Sequence, residues 1–146
     1  MNPPVLLDVN VLIALFDYTH VHHDAAHDWF ADNRSRGWAT CPHTQNGFLR
    51  VLSRPLEKRD RDRPHTLAAH LRTFCASNDH TFWPASISLS DSTRFDLSAA
   101  SHRHLTDIYL AGLAHANGGV LATFDRSIPI KCIVGTPVRL LEVIGA

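Results

Sequence analysis

The stretch VLLDVNVLIALF, residues 5–16, changes periodicity at one acidic residue. Val5-Leu6-Leu7 is a continuous apolar run, the signature of a strand buried on both faces, and it stops at Asp8. Asn10 then offers a side chain that caps a helix running from Val11 to Phe16. The stretch reads as strand, acidic turn, helix. A second passage repeats its first half: Gly119-Val120-Leu121-Ala122-Thr123 predicts a buried strand that ends at Phe124-Asp125. Just before it, TDIYLAGLAHAN at 106–117 is the clearest helix in the chain. Thr106 serves as cap, Ile108, Leu110, Ala111 and Leu113 recur at helical spacing, and Asn-Gly-Gly follows as a stop.

Between these two passages the pattern alternates. A helix is expected from Val21 to Arg34, with Ala25, Ala26, Trp29 and Phe30 on one face. Trp38 to Cys41 is a short strand interrupted by Pro42. A third helix, capped by Thr44, carries Phe48, Leu49, Val51 and Leu52 and stops before Pro55. Residues 54–64 form a polar link, and a fourth helix runs from Pro64 to Ala76 with Pro64 in its first turn. Thr81 to Trp83 is a further strand, one helical turn is expected near Asp91 to Phe95, and the tail from Pro137 to Ile144 closes with a strand. Short apolar strands alternating with longer helices are βαβ units. The fold class is therefore α/β: a three-layer α/β/α sandwich around a central, mainly parallel sheet, in one domain over 1–146 without internal repeats. Ligands of such sheets collect outside the carboxyl ends of the strands, where Asp8 and Asp125 fall.

Composition narrows the function classes. The chain has 146 residues, of which 45% are hydrophobic and 19% charged, enough to bury a core without disulfide or metal staples. MNPPVLLDVNVLIALF has no basic region of the secretory type, and no apolar run approaches the roughly 18–20 residues that cross a bilayer, so no membrane partner is expected. Cys41, Cys75 and Cys132 are widely spaced without a CxxC, which suits a reducing compartment; the expected location is cytoplasmic. Fourteen Lys and Arg balance fourteen Asp and Glu, so any binding of nucleic acid must be local. Twelve of the fourteen acids are Asp, and the two Glu are Glu57 and Glu142.

Asp8, Asp107 and Asp125 are the candidates for chemistry. Each alone has an ordinary role: Asp107 suits the positive end of its helix, and the other two suit turns. Together on one rim they mean more, because two carboxylates about 5 Å apart repel by roughly 3 kcal/mol at an effective dielectric of 20. Such a cluster calls for a cation, and all-oxygen ligands favour Mg²⁺ or Mn²⁺. The chemistry this supports is hydrolysis of a phosphate ester.

LLDVNVLIAL at 6–15, LTDIYLAGLA at 105–114 and VLATFDRSI at 120–128, in this order, resemble the motifs of a PIN domain. HVHHDAAHDWF and GWATCPHTQNGFLRVLS narrow the resemblance to VapC toxins of bacterial toxin–antitoxin pairs, in a mycobacterial-type branch. The resemblance implies an endoribonuclease dependent on Mg²⁺ or Mn²⁺ that inhibits translation, is neutralised by a cognate antitoxin protein and forms a homodimer. Asp8, Asp107 and Asp125 match acidic positions of the family, as catalytic residues and metal ligands; Asn10 and Thr123 match polar positions that support them. The family usually carries a further acid at the start of the third helix. Here no Asp or Glu occurs between Asp32 and Glu57, and Gln45 lies nearest to that place. An amide oxygen binds a metal or its water without adding charge, so weaker metal affinity is expected.

Arg126, beside Asp125, is the residue best placed by sequence to touch an RNA phosphate. Arg50, Arg54, Lys58, Arg59, Arg61 and Arg63 oppose Glu57, Asp60 and Asp62, six charges against three, a local surplus that could follow an RNA backbone. His20, His22, His23 and His27 include a pair at i,i+4, a spacing that can hold Zn²⁺, although no second ligand cluster accompanies it. His102 and His104 precede Asp107 and could lie near the same rim. Two other readings stay open at this level. One is a catalytically weak PIN-like module that only holds RNA or an antitoxin. The other, more distant, is a haloacid-dehalogenase-like phosphatase, whose Asp-x-Asp opening Asp8-Val9-Asn10 matches only at its first residue.

Overall fold

The computed structural model describes residues 2–54, 63–135 and 138–145. Five strands, β1 (Val5–Leu7), β2 (Trp38–Thr40), β3 (His80–Phe82), β4 (Val120–Thr123) and β5 (Leu141–Val143), form one sheet in the order β3-β2-β1-β4-β5. Every pairing is parallel. The helices are α1 (Val9–Phe16), α2 (His23–Asn33), α3 (Pro42–Leu52), α4 (Pro64–Phe74) and α5 (Leu105–Ala116). Period-two alternation in the central strands divides the core. Val5, Leu7, Val120 and Ala122 face a cluster with Val11, Leu12, Phe30, Phe48, Leu67 and Leu71, drawn from α1 to α4. Leu6, Ala39 and Leu121 face the other way, against Ile108, Leu110 and Leu113 of α5, with Phe95, Ile133 and Leu140 completing the layer. The α/β/α sandwich is thus lopsided: four helices cover one face, and α5 with irregular chain covers the other.

The departures from expectation lie at element ends. Helix α1 starts at Val9 and is capped by Asp8 rather than Asn10. Asp8 keeps an extended backbone (φ −61°, ψ 156°), and its carboxylate accepts the Val9 N–H at 2.7 Å. Pro42 opens α3 instead of breaking a strand, as its missing N–H permits at a first helical position. Thr44 sits inside that first turn, where its hydroxyl accepts the Cys41 N–H at 2.9 Å. A 3₁₀ turn, His102–His104, leads into α5, so Thr106 lies within the helix and is not its cap. Helix α2 begins at His23, two residues after the predicted start, and the last strand is confined to Leu141–Val143. Near Asp91 a turn does form, with the N–H groups of Arg94 and Phe95 both donating to the Asp91 carbonyl. Phe95 is then delivered into the α5 layer and pairs with Ile133. The charged run containing Lys58, Arg59 and Arg61 lies outside the described residues, as does Pro137.

Gly47 sets how closely α3 approaches α1. A Cβ at this position would stand 2.9 and 3.0 Å from the two methyls of Val9, a β-branched side chain with little rotamer freedom in a helix. Gly47→Ala is expected to destabilise the chain by about 1–3 kcal/mol, the usual range for overpacking. Urea unfolding followed by circular dichroism measures it; an unchanged midpoint would mean that Val9 yields freely.

Candidate active site at the carboxyl ends of β1 and β4

Strands β1 and β4 are neighbours, yet β1 connects onward to β2 on its other side. Their shared carboxyl edge is therefore a switch point of the sheet, where the chain leaves a crevice. The register Leu7↔Ala122 and the bond from the Asp8 N–H to the Ala122 carbonyl (3.0 Å) bring Asp8 level with Thr123. The Thr123 hydroxyl donates to Asp8 Oδ2 at 2.7 Å and accepts the Asp125 N–H at 3.1 Å. One buried hydroxyl thus ties the first acidic position to the backbone of another. Asp8 is only 6% exposed, so both of its oxygens need partners, and the Val9 N–H and Thr123 hydroxyl supply them. Burial still raises its pKa; those two bonds oppose the rise, and the negative charge of Asp125 adds to it.

Asp125 follows β4 in a turn. Its Oδ1 accepts the Ser127 N–H at 2.8 Å and the Ser127 hydroxyl at 2.6 Å, which holds its carboxyl below the usual range. Asp107 occupies the first turn of α5, half-buried. Its pKa is pushed up to about 6, first by burial and then by repulsion from Asp8 and Asp125, with His104 partly opposing. The three carboxylates therefore share one electrostatic field. Among the described residues none of them forms an ion pair with Lys or Arg. Nor, among those residues, do three His, Cys, Asp or Glu side chains converge closely enough to cage a cation unaided. This donor set suits a hard divalent ion that needs only one or two carboxylates and takes its remaining ligands from water and a substrate phosphate.

The other residues singled out in the sequence are placed as follows. Asn10 is exposed and lines a groove with Ile13 and Phe16. Gln45 donates its amide N–H to the Thr40 hydroxyl at 3.0 Å, at the end of β2. The α3 residues beside Val9 and Thr106 are His43, Asn46, Gly47 and Arg50. Sequence reasoning passed over the first two; their spacing with Arg50 at i, i+3 and i+7 was the available signal. Ser127 was also missed, and an Asp-x-Ser turn was the clue to it. Arg50, Arg54 and Arg126 are exposed. His23 and His27 each donate a ring N–H to a carbonyl at the end of α1, Ala14 O at 2.7 Å and Leu15 O at 2.8 Å. His20 and His22 stack with Phe124 at 6.1 and 4.4 Å between ring centres. The histidine-rich segment therefore closes the last turn of α1 and packs beside the β4 turn. Trp38 and Trp83 are buried, and Trp29 donates to Glu142 at 2.9 Å.

The PIN domain family pattern matches residues 5–131. Ribonuclease VapC44 of Mycobacterium tuberculosis is 41% identical over 136 residues, which cover 89% of this chain and 92% of that protein. Ribonuclease VapC39 of the same organism is 41% identical over 131 residues, with 89% and 94% covered. The fold agrees with the crystal structure of Mycobacterium tuberculosis VapC20, a sarcin-ricin loop cleaving toxin. That match has a TM-score of 0.61 at 15% identity and covers 90% of this chain and 98% of the other. The chain belongs to the PIN-domain family, within its VapC branch.

The raised pKa of Asp107 has a consequence for stability. Its folded value, about 6, lies above the ordinary 3.8, so the folded chain holds a proton there that the unfolded chain has released. Stability without metal therefore falls as pH rises from about 4 through 6, and the loss is complete at pH 7. Asp107→Asn removes the charge. After discounting for solvent, the relief is on the order of 1–2 kcal/mol, a Tm gain of roughly 3–8 °C at pH 7. The gain should vanish near pH 4. Thermal scans in EDTA across this range test it, and a gain independent of pH would contradict the assignment.

Proposed function

We propose that the chain is a divalent-metal-dependent endoribonuclease and the toxin of a toxin–antitoxin pair, hydrolysing RNA phosphodiesters and so inhibiting translation. The observation that carries this reading is the rim where Asp8, Asp107 and Asp125 repel one another and, among the described residues, form no ion pair with Lys or Arg. The names of the VapC relatives support the ribonuclease part. Asp8, Asp107 and Asp125 would hold Mg²⁺ or Mn²⁺. When bound, such an ion supplies a nucleophile at neutral pH and shields the charge that develops on the phosphoryl oxygens.

The rest of the work falls to this chain's own side chains. Thr123 fixes the orientation of Asp8, and Ser127 does the same for Asp125. Asp107 must lose its proton before it can serve as a ligand, so metal affinity rises with pH through about 6. Arg126, exposed beside Asp125, would meet a phosphate of the bound strand. The expected products carry a 5′-phosphate and a 3′-hydroxyl. A groove of about 930 Å³, lined by Ile13, Phe16, Leu52 and Leu67 with Asn10 at its edge, supports the antitoxin as partner, since an amphipathic segment docks through such a surface. A homodimer is part of the same reading.

Incubation of the purified chain with total RNA in Mg²⁺, Mn²⁺ or EDTA tests the proposal. Discrete fragments are expected only with metal, and Asp8→Asn should lower the rate at least ~100-fold, the scale of losing a group that acts in the transition state. Fragments that persist in EDTA, or ends with a 2′,3′-cyclic phosphate, would refute it.

A further inference from the structure

A cleft of about 360 Å³ opens between α3 and the start of α5, bounded by Val9 and Thr106 and by His43, Asn46 and Arg50 of α3. Val9 and Thr106 are the chain neighbours of Asp8 and Asp107, so the cleft adjoins the acidic rim. Its volume falls within the roughly 300–1,000 Å³ of small-ligand sites. Three features of its lining go unused in the reading given above. The Arg50 guanidinium is exposed and, among the described residues, has no ion-pair partner. The Asn46 amide is exposed, with neither its donor nor its acceptor bonded to another described residue. The His43 ring lies against Tyr109 at 4.6 Å between ring centres and 37° between planes. Tyr109 is itself fixed, since its hydroxyl donates to the Ile87 carbonyl at 3.1 Å. Gly47 brings α3 against Val9 and so holds the α3 wall of the cleft beside the rim.

A cation, an amide that both donates and accepts, and an aromatic ring on a rigid support are what an unstacked nucleotide needs: charge for its phosphate, an edge partner for its base, and a face to stack on. From this we infer that the cleft is a nucleotide subsite beside the scissile phosphate, in which Arg50 binds the phosphate, Asn46 reads the base edge and His43 stacks on the base. The inference rests on the ribonuclease reading and adds to it the residues that select the cleavage site.

The test uses RNA dodecamers randomised at their central positions. The full chain digests the pool in Mn²⁺, and the fragment ends are sequenced. The wild type should show a base preference at one position next to the cut. Asn46→Ala should flatten that preference about fivefold or more at this position only. Arg50→Ala should raise KM about tenfold with kcat changed less than about threefold, as expected for a group that binds ground and transition states alike. Cleavage without any base preference, or variants that match the wild type in both preference and KM, would overturn the subsite and leave the nuclease standing. If the wild type cuts nothing, the nuclease reading fails, and the subsite is judged separately. Asp8→Asn chain is then photocrosslinked to the same pool carrying 4-thiouridine, and the adducts are mapped by mass spectrometry. Adducts within 42–52 sustain the subsite; adducts only elsewhere, or none, overturn it.

Discussion

The hydrogen bond from Thr123 to Asp8 is the point on which the site depends. It exists because β1 and β4 pair in parallel with Leu7 level with Ala122, which sets the next residue of each strand side by side at the carboxyl edge. A slip of one residue would turn Thr123 away, and it would also move Val120 and Ala122 out of one core cluster and Leu121 out of the other. Core packing therefore enforces the register, and the register builds the site. Asp8 adds a second coupling, because the carboxylate that Thr123 orients also caps α1. Strand, helix start and acidic rim thus meet in one side chain.

The same economy explains what the sequence made legible. Apolar runs that end in Asp are visible without a structure, so β1, β4 and their acidic ends could be read directly, as could α5 from its spacing. Cap positions were read less well. Asn10, Thr44 and Thr106 have good capping chemistry, yet Asp8 and Cys41 occupy the cap positions of α1 and α3, because tertiary pairing decides where β1 and β2 stop, and a 3₁₀ turn puts His104 at the start of α5. Sequence order puts Gln45 closest to the expected acidic position, and its neighbour Asn46 is turned about 100° further round the helix. The Gln45 amide goes to Thr40, while Asn46 lines the cleft beside the rim.

The absence of an acid on α3 changes the balance of the site. With Asn46 and Arg50 on that wall, the negative charge is confined to β1, α5 and the turn after β4, and a positive group stands on the α3 side of the neighbouring cleft. A metal ion held there would meet fewer anionic ligands, and a polyanionic substrate would meet less repulsion. Fewer ligands weaken metal held without substrate, because the free chain must supply what a phosphate oxygen would otherwise provide. On the proposed reading, the arrangement would favour metal and RNA binding together over metal binding alone.

Electrical neutrality fits that picture. Fourteen positive and fourteen negative residues give no long-range attraction for RNA, so recognition has to arise where local charge is unbalanced. The acidic rim alone would repel a strand. The same rim with a divalent ion in place, flanked by exposed Arg50 and Arg126, would draw a phosphate inward. Attraction then depends on the ion, and it acts only over roughly the 8–10 Å of a Debye length at physiological salt. Selection among RNAs must therefore fall to contacts made after that short-range capture, where an unstacked base can reach a polar side chain and an aromatic face. On the proposed reading, the cleft beside the rim, more than the net charge of the chain, would decide which phosphodiester is presented to the carboxylates.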